Sequence, residues 1–284
     1  MKKIQITSDR LLDLTDEELK EMNVATMSCY INMGGKSYED LIDITPDGVF
    51  LHLSKTGELA KTAAKSPDDY YNFFKPFVDE GKAVIHFSAA SGISAIHDNS
   101  AIAAARLPDT YAVDTRSLCN GVALLVGYAI ELIENGETDP KKIYDLCCLK
   151  REKLQDSFLV DTLECLYRGG RCSTLRYYAA NILRIKPAVT LDKTNGKMIV
   201  REKCRGSSRR AIADYVANTF KKYPNPDLKT LYIIHYCKDE ALIKFFYDTV
   251  TSYHKFENVK WGFPSCNCIV HSGPNTFGIF YFVK

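Results

Sequence analysis

The sequence predicts an α/β protein of two domains, in which a parallel, helix-covered sheet precedes an α+β domain with a mixed or antiparallel sheet. In the first half of the 284 residues, β-leaning apolar runs alternate with helical patterns, and such alternation favours a parallel sheet. In the second half, Asn195-Gly196 lies between two strand-like runs, which is a strong hairpin signal. A chain of this length is at the upper limit of a single hydrophobic core.

Clear helix-start signals bound the elements of the first half. Thr15, Thr45, Ser66 and Asp139 stand where N-caps are expected, and the last three precede a proline that suits the first helical turn. Thr15 also has the spacing of a capping box with Glu18. We further predict helices over 92–107 and 117–135, and strands over 2–7, 25–32, 83–88, 110–114 and 157–162.

The second half is predicted to begin with a hairpin and to continue as mixed sheet and helix. The predicted strands are 186–191, 198–201, 230–235, 258–263, 268–271 and 276–283, and the predicted helices are near 207–223 and 238–253. We place the boundary near residue 165, which gives domains 1–165 and 166–284. Because no long linker separates them, we expect them to pack closely and to hold a ligand in the cleft between them.

Composition argues against several classes of partner. The apolar and charged fractions are 46% and 25%, and the net charge is +2, so nothing favours nucleic acid or an anionic membrane. The longest uncharged apolar stretch, 117–130, is too short to span a bilayer. The chain starts with a polar strand rather than an apolar signal segment. We therefore expect a cytoplasmic protein with no transmembrane segment.

Ten cysteines are scattered along the chain, and no Cys-x-x-Cys pair occurs. Reduced cysteines that act as small buried hydrophobes fit a cytosolic protein. On a strand, Cys266 and Cys268 would share one face and could begin a zinc site with His271. The usual paired ligand spacings are missing, so no metal is expected.

The stretch 83–107 is the most informative part of the first half. An apolar strand breaks into the small residues Ser88 to Ser94, and an alanine-rich helix follows. A helix start offers unpaired N–H groups and a positive dipole end, so this turn suits an anion or a carboxylate. The alternative is that Ser91 or Ser94 is simply an N-cap.

Several catalytic interpretations compete for the same residues. Ser94, Asp114 and His271 occur in the chain order of an α/β-hydrolase, but no Gly-x-Ser-x-Gly elbow is present. A small-molecule esterase that uses Ser94 therefore stays an alternative. The Walker and Rossmann glycine motifs are absent from the sequence, so nucleotide chemistry has little support.

Two further segments suggest the recognition of an anionic head group. The first is Arg168-Gly169-Gly170-Arg171. Its two glycines allow a tight turn, and its arginines carry guanidinium groups that pair well with carboxylate or phosphate. His271 enters a Gly-Pro turn, where its imidazole could bond a head group. RNA binding is disfavoured because no aromatic residues interleave with the arginines.

Taken together, these segments resemble the DegV family of bacterial lipid-binding proteins. The most specific match is Thr162-Leu163-Glu164 followed by Arg168-Gly169-Gly170-Arg171 and Ser173, and similar matches run from the first strand to residue 278. The other matching segments are Thr62–Pro67, Ser91–Ser94, Asp114–Ser117, Ile185-Lys186-Pro187, Arg205-Gly206 and His271–Pro274.

The resemblance implies a carrier rather than an enzyme. A relative of this kind holds one long-chain fatty acid in an apolar tunnel, with the carboxylate at the domain interface and no cofactor. Carried over by position, Thr62 and Ser94 would bind the carboxylate directly, and His271 and Arg171 would lie around it. The implied partner is a separate fatty acid kinase, which makes the acyl phosphate for phospholipid synthesis.

Four positions depart from the family pattern. Arg10 follows Asp9 where the family has a serine-threonine pair, Lys65 replaces an apolar residue or proline, Ala95-Ile96-His97 follows Ser94, and Asn275 replaces a glycine. These changes leave open a third possibility, a partner-binding module that has lost its lipid.

Overall fold

The computed structural model describes residues 3–171 and 185–284, and Cys172 and Ser173 of the family-like motif lie outside this part. Its strands are β1 (Ile4–Asp9), β2 (Ala25–Met27), β3 (Tyr30–Met33), β4 (Lys36–Glu39), β5 (Lys61–Ala63), β6 (Ala83–Ser88), β7 (Thr110–Asp114), β8 (Leu154–Leu159), β9 (Ile185–Leu191), β10 (Met198–Arg205), β11 (Thr230–His235), β12 (Asn258–Trp261) and β13 (Phe277–Phe282).

The helices begin where the sequence places most of their caps. They are α1 (Asp16–Glu21), α2 (Pro46–Thr56), α3 (Pro67–Asp79), α4 (Ile96–Ala104), α5 (Asn120–Glu134), α6 (Pro140–Lys150), α7 (Glu164–Arg168), α8 (Ser208–Lys222), α9 (Glu240–Thr251) and α10 (Cys266–Ser272). Thr15 and Ser66 each form the complete capping box, and Thr45 and Asp139 also accept backbone N–H bonds.

Two sheets of different kinds confirm the predicted fold class. The first has the order β2-β1-β6-β7, and all of its pairings are parallel. The second has the order β10-β9-β8-β13-β11-β12, in which only β11 and β12 pair in parallel. The alternation of strands and helices in the first half therefore gave the correct pairing.

Helix α5 lies between the two sheets. It contacts β1 and β6 on one side and β8, β11 and β13 on the other. This explains why eight of its 15 residues are buried, because a helix covered on both sides shows no single apolar stripe. On the far face of the second sheet, α8 and α9 enclose a separate apolar cluster.

A small antiparallel sheet, β4-β3-β5, was not expected. The predicted strand 25–32 is split at Ser28 and Cys29, so β2 joins the first sheet and β3 the small one. One apolar run of sequence can supply strands to two different sheets. Hydrophobic periodicity does not mark the residue at which the chain leaves one sheet and joins the other.

The predicted strand 268–271 is wrong, because these residues belong to α10. Three acceptors hold the start of this helix: the Ser265 side chain accepts from Cys268 N, Asp13 from Ser265 N, and Asp40 from Cys266 N and Asn267 N. Ile269 and Val270 gave the strand signal, but the capping of orphan N–H groups outweighs that β-propensity.

Strand β8 lies three residues before the predicted 157–162 and pairs only with β9 and β13 in the described parts of the chain. One apolar cluster includes Ile85 of the first sheet and Phe280 of the second. The two sheets therefore share a core, and the division at residue 165 stays a prediction. Across residues 3–171 and 185–284, no helix is both long and apolar enough to cross a membrane.

Candidate functional site

A cavity opens between the two sheets and the small sheet. It encloses about 750 Å³ of space free of protein atoms, a volume that includes the solvent in its open mouth. The apolar part of its wall is formed by Leu11, Ala63, Ala64, Ala89, Ile93, Ile96, Leu118, Phe158, Val160, Leu166, Val189 and Met198.

All four residues predicted for the site line this one cavity. Thr62 comes from β5, Ser94 from the turn between β6 and α4, Arg171 from the segment after α7, and His271 from α10. They are 32 to 209 positions apart along the chain, so the fold alone brings them together. Each is partly buried, which leaves polar atoms at the edge of an apolar space.

Thr62 is the centre of the polar end. Its Oγ1 lies 3.0 Å from Nε2 of His271, and Nη2 of Arg171 donates to the same oxygen over 3.5 Å. Arg171 is held in place by a second bond, from Nη1 to the carbonyl oxygen of Gly169 at 2.7 Å. A hydroxyl, an imidazole and a guanidinium group therefore meet at one point.

Of the three groups that meet at the polar end, only the guanidinium of Arg171 is charged. Burial, together with the nearby Arg171 charge, lowers the pKa of His271 to about 3, so the ring is neutral at physiological pH. Burial also lowers the pKa of Arg171, but a guanidinium group keeps its charge in proteins. The site therefore combines one cation with neutral polar groups.

The Gly-Gly turn has a steric purpose beside His271. A Cβ at Gly169 would lie 2.4 Å from Nδ1 of His271, so only glycine lets the loop pass so close to the ring. Gly170 has a φ of +73°, which favours glycine. His271 Nδ1 is buried and has no hydrogen-bond partner in the described parts of the chain.

Ser94 precedes α4 without being its N-cap residue. The cap is Ala95, and the helix begins at Ile96 rather than at residue 92 as predicted. Oγ of Ser94 accepts from the backbone N–H of Ile96 over 3.3 Å. Since the oxygen accepts this bond, its own proton is free to be donated into the cavity.

The three residues of the hydrolase alternative do not form a triad. Asp114 accepts from Oγ and N of Ser91 and from N of Arg116, while Nε2 of His271 faces Thr62. Burial raises the pKa of Asp114, but the bonds from Ser91 and Arg116 outweigh it, so that pKa lies below its usual range. Asp114 thus holds a turn and orients no imidazole.

The cysteines of α10 point to different neighbours. Sγ of Cys266 donates to the carbonyl oxygen of Ile44, whereas Sγ of Cys268 lies 3.0 Å from Sγ of Cys119. The zinc grouping of Cys266, Cys268 and His271, which was considered on the sequence, is therefore not assembled. On a helix, residues two apart do not share a face.

Sequence reasoning missed several residues of the cavity wall. They are Cys119, Tyr236, Asn267, Cys268 and Ser272. Ser272 lies inside the family-like segment His271–Pro274 and Cys268 was named only as a possible zinc ligand, whereas no motif marks the other three. Asn267, Cys268 and Ser272 belong to the helix that was predicted in part as a strand. They line the cavity because α5 begins there, β11 ends there and α10 lies along it.

Two of the departures from the family pattern lie outside the cavity wall. Arg10 pairs with Asp16, with Nη2 and Oδ1 2.5 Å apart. Lys65 is buried, lies 3.8 Å from the ring centre of Tyr30 and bonds Glu39 at 2.5 Å. Both cations are thus neutralised within the first half of the chain and do not face the cavity.

Comparison with known proteins gives consistent results over the whole chain. The chain is 26% identical over 288 residues to a DegV domain-containing protein of Clostridium perfringens, covering 99% of each chain. Its fold is similar to that of a fatty-acid-binding DegV family protein from Thermus thermophilus, with a TM-score of 0.90, 23% identity and coverage of 99% and 100%.

A second solved structure has the same architecture. It is a DegV family protein from Eubacterium eligens loaded with heptadecanoic acid, with a TM-score of 0.84, 17% identity and coverage of 99% and 100%. At these identities the likeness concerns the fold. The sequence profile of the DegV family matches residues 3–284. The chain therefore belongs to the DegV family.

Proposed function

We propose that this protein binds one long-chain fatty acid, with its acyl chain in the cavity and its carboxylate at Thr62, Ser94, His271 and Arg171. The observation that carries the proposal is the division of one cavity into an apolar wall and a polar end, where Arg171 is the one half-buried cation among the described lining residues. A neutral apolar ligand would leave that cation without a partner, whereas a carboxylate compensates it.

The hydrogen-bond directions at Thr62 support a carboxylate. Arg171 can only donate, so Oγ1 of Thr62 accepts from it. When Nε2 of His271 also donates to Oγ1, the hydroxyl proton of Thr62 is directed elsewhere and can reach an oxygen in the cavity. Ser94 supplies a second hydroxyl in the same way. Two hydroxyls and a guanidinium group suit the two oxygens of a carboxylate.

The apolar wall would supply most of the affinity. Burial of each methylene stabilises a complex by about 0.8 kcal/mol, so a long chain gains far more than a short one. The polar end then fixes orientation and selects an acid over an alcohol. Titration of the protein with fatty acids of increasing length is expected to show affinity that rises with each methylene until the cavity is full.

The direct test is native mass spectrometry of the protein purified from a bacterial host. We expect a co-purified fatty acid at one molecule per chain. A spectrum of ligand-free protein that also takes up no added palmitate or oleate would exclude the proposal. A lipid-free protein that hydrolyses short acyl esters, with activity lost in Ser94→Ala, would favour the esterase instead.

We further propose that the protein is not an enzyme itself but a cytoplasmic carrier that presents the carboxylate to a separate fatty acid kinase for phospholipid synthesis. The family resemblance and the lack of Walker and Rossmann motifs in the sequence support this role. Arg171→Ala is expected to reduce acyl-phosphate formation by such a kinase more than it reduces lipid affinity. Unchanged acyl-phosphate formation by this variant would remove the role of Arg171.

A further inference from the structure

A compact group of potential metal ligands lies at the cavity wall, and none of its members is one of the four residues at the polar end. Asp13 lies beyond β1, Cys119 directly precedes α5, and Cys268 belongs to α10. One ligand atom of each lies within 4.8 Å of the others, and all three residues are buried. Three separate segments of the chain thus bring a carboxylate and two sulfurs to one point.

Two buried polar atoms at this group lack partners. Oδ2 of Asp13 and the hydroxyl of Tyr236 have no hydrogen-bond partner in the described parts of the chain, although the residues are only 1% and 7% exposed. Weak donors face these two groups: the Cys119 thiol interacts with Asp13 and the Cys268 thiol with Tyr236. Buried polar atoms that meet only such weak partners are costly, so the group points to a ligand.

The surroundings hold the group in position. Oδ1 of Asp13 accepts from Ser265 N over 3.1 Å, and Cys268 N donates to Oγ of Ser265 over 3.3 Å. Such outer contacts orient the ligands of metal sites. Cys119 has φ 53° and ψ −139°, a backbone region that residues other than glycine rarely adopt and that clusters at functional sites.

We propose that Asp13, Cys119 and Cys268 bind one zinc ion or a similarly thiophilic divalent cation, which ties the three segments together. Two thiolates and one carboxylate suit zinc, and the hydroxyl of Tyr236 or a water can complete a tetrahedron. Binding releases the thiol protons to solvent. None of its three ligands is among the four residues assigned to the carboxylate, although Cys119 and Cys268 line the same cavity.

The geometry requires only a small adjustment. At a zinc–sulfur distance of about 2.3 Å, two sulfurs of a tetrahedral site are roughly 3.7 Å apart, and here they are 3.0 Å apart. The side chains therefore have to separate slightly as the ion enters. Because Cys119 and Cys268 also line the cavity, an ion reaches them from the solvent through its mouth.

Cobalt(II) is the probe for the first experiment, since its absorption reports both sulfur ligation and tetrahedral geometry. The full-length protein is reduced, stripped with a chelator, and titrated with cobalt and then with zinc. We expect one equivalent per chain, a thiolate-to-cobalt charge-transfer band, and displacement by zinc. Binding of less than a tenth of an equivalent of cobalt per chain, or a spectrum without sulfur ligation, would overturn the proposal. A buried water, or a disulfide between Cys119 and Cys268, would then be the explanation for this group.

Single substitutions then locate the site. Cys119→Ser, Cys268→Ser and Asp13→Asn are each expected to weaken binding at least tenfold. Cys266→Ser is the matched control: it is a buried cysteine two residues from Cys268 but bonds Ile44, so its variant keeps the metal. Loss in the control equal to that in Cys268→Ser would contradict the assignment.

A measurement on the wild-type protein tests the site even if the substituted variants do not fold. Thiols are counted with a blocking reagent in the native protein, with and without zinc. We expect zinc to protect Cys119 and Cys268, identified by mass spectrometry of peptides, and to raise the melting temperature. Labelling of these two cysteines that occurs without zinc and is not reduced by zinc, or a melting temperature that zinc leaves unchanged, would exclude the site.

Discussion

At the scale of single residues, the hydroxyl of Thr62 links two other polar groups of the candidate site. It lies between a neutral imidazole and a guanidinium group, and the small sheet β4-β3-β5 holds its backbone. Removing the hydroxyl while keeping the shape isolates its chemical role. Valine is the appropriate replacement because it preserves the volume and the β-branched side chain.

Thr62→Val is expected to weaken fatty acid binding by about 10- to 100-fold, since one hydrogen bond to a charged group contributes about 1.5–3 kcal/mol. Binding is measured by calorimetry with palmitate and with the corresponding alcohol, which lacks the charge. Thr26→Val is the control, because Thr26 is a half-buried strand residue outside the cavity wall. Equal palmitate affinity of the wild type and Thr62→Val would remove this residue from the site.

His271 gives a prediction about pH. Burial and Arg171 lower its pKa to about 3 in the folded protein, below the ordinary value of 6.5. The unfolded chain therefore binds a proton at a pH where the folded chain does not, and stability falls as the pH drops below 6.5. Between pH 7 and pH 5 this one group should cost about 2 kcal/mol.

The experiment compares lipid-free wild type with His271→Gln by urea unfolding at both pH values. Other histidines and acids titrate equally in both proteins, so the difference isolates His271. We expect the wild type to lose more stability than the variant as the pH falls. A parallel loss in both proteins would mean that the ring is protonated without cost in the folded state.

At the scale of elements, the turn after β6 and the hairpin of β9 and β10 touch through their backbones. A Cβ at Gly92 would lie 2.3 Å from the carbonyl oxygen of Asn195 and 2.5 Å from the nitrogen of Lys197. Arg116 strengthens the same junction by donating to the carbonyl oxygen of Lys193 over 2.6 Å. The hairpin is thus fixed directly beside the turn that carries Ser94.

Gly92→Ala is expected to push the hairpin away, to cost about 1–3 kcal/mol in stability as overpacking does, and to weaken fatty acid binding. The matched control is Gly127→Ala, because Gly127 lies in α5 and a Cβ there meets nothing within 4 Å. That variant should be unchanged or slightly more stable, as alanine favours helix. Thermal unfolding of both variants checks this, and equal stability would show that the turn and the hairpin separate freely.

The elements that the sequence predicts well are those with local signals. The capping boxes at Thr15 and Ser66 and the hairpin at Asn195-Gly196 depend on neighbouring residues only, and the structure confirms them. Helix α10 was missed because its start is capped partly by Asp13 and Asp40, more than 220 positions away. Local propensity contains no information about such distant acceptors.

At the scale of the whole molecule, the candidate site is assembled from four distant segments. Thr62, Ser94, Arg171 and His271 were expected from motif resemblance, and their convergence on one cavity is a property of the fold. The apolar wall could not be predicted, because its residues share no spacing. They become neighbours only when α5 is enclosed by both sheets.

This shared core gives a prediction about cooperativity. A fragment of residues 1–165 contains β8 but lacks β9 and β13, the strands with which β8 pairs. We expect the fragment to show no cooperative thermal transition by circular dichroism, and the complete chain to unfold in a single one. A fragment with a sharp transition of its own would instead support the domain boundary near residue 165.

Helix α10 also has a consequence for kinetics. Its start is hydrogen-bonded to Asp13 and Asp40, and near its end His271 contacts Thr62. If a fatty acid is bound in the cavity as proposed, its exit past this helix requires both sets of contacts to break together. The residence time of the lipid would then be set by the rate at which α10 separates from its neighbours. A partner protein that binds α10 would therefore control lipid release without contacting the lipid.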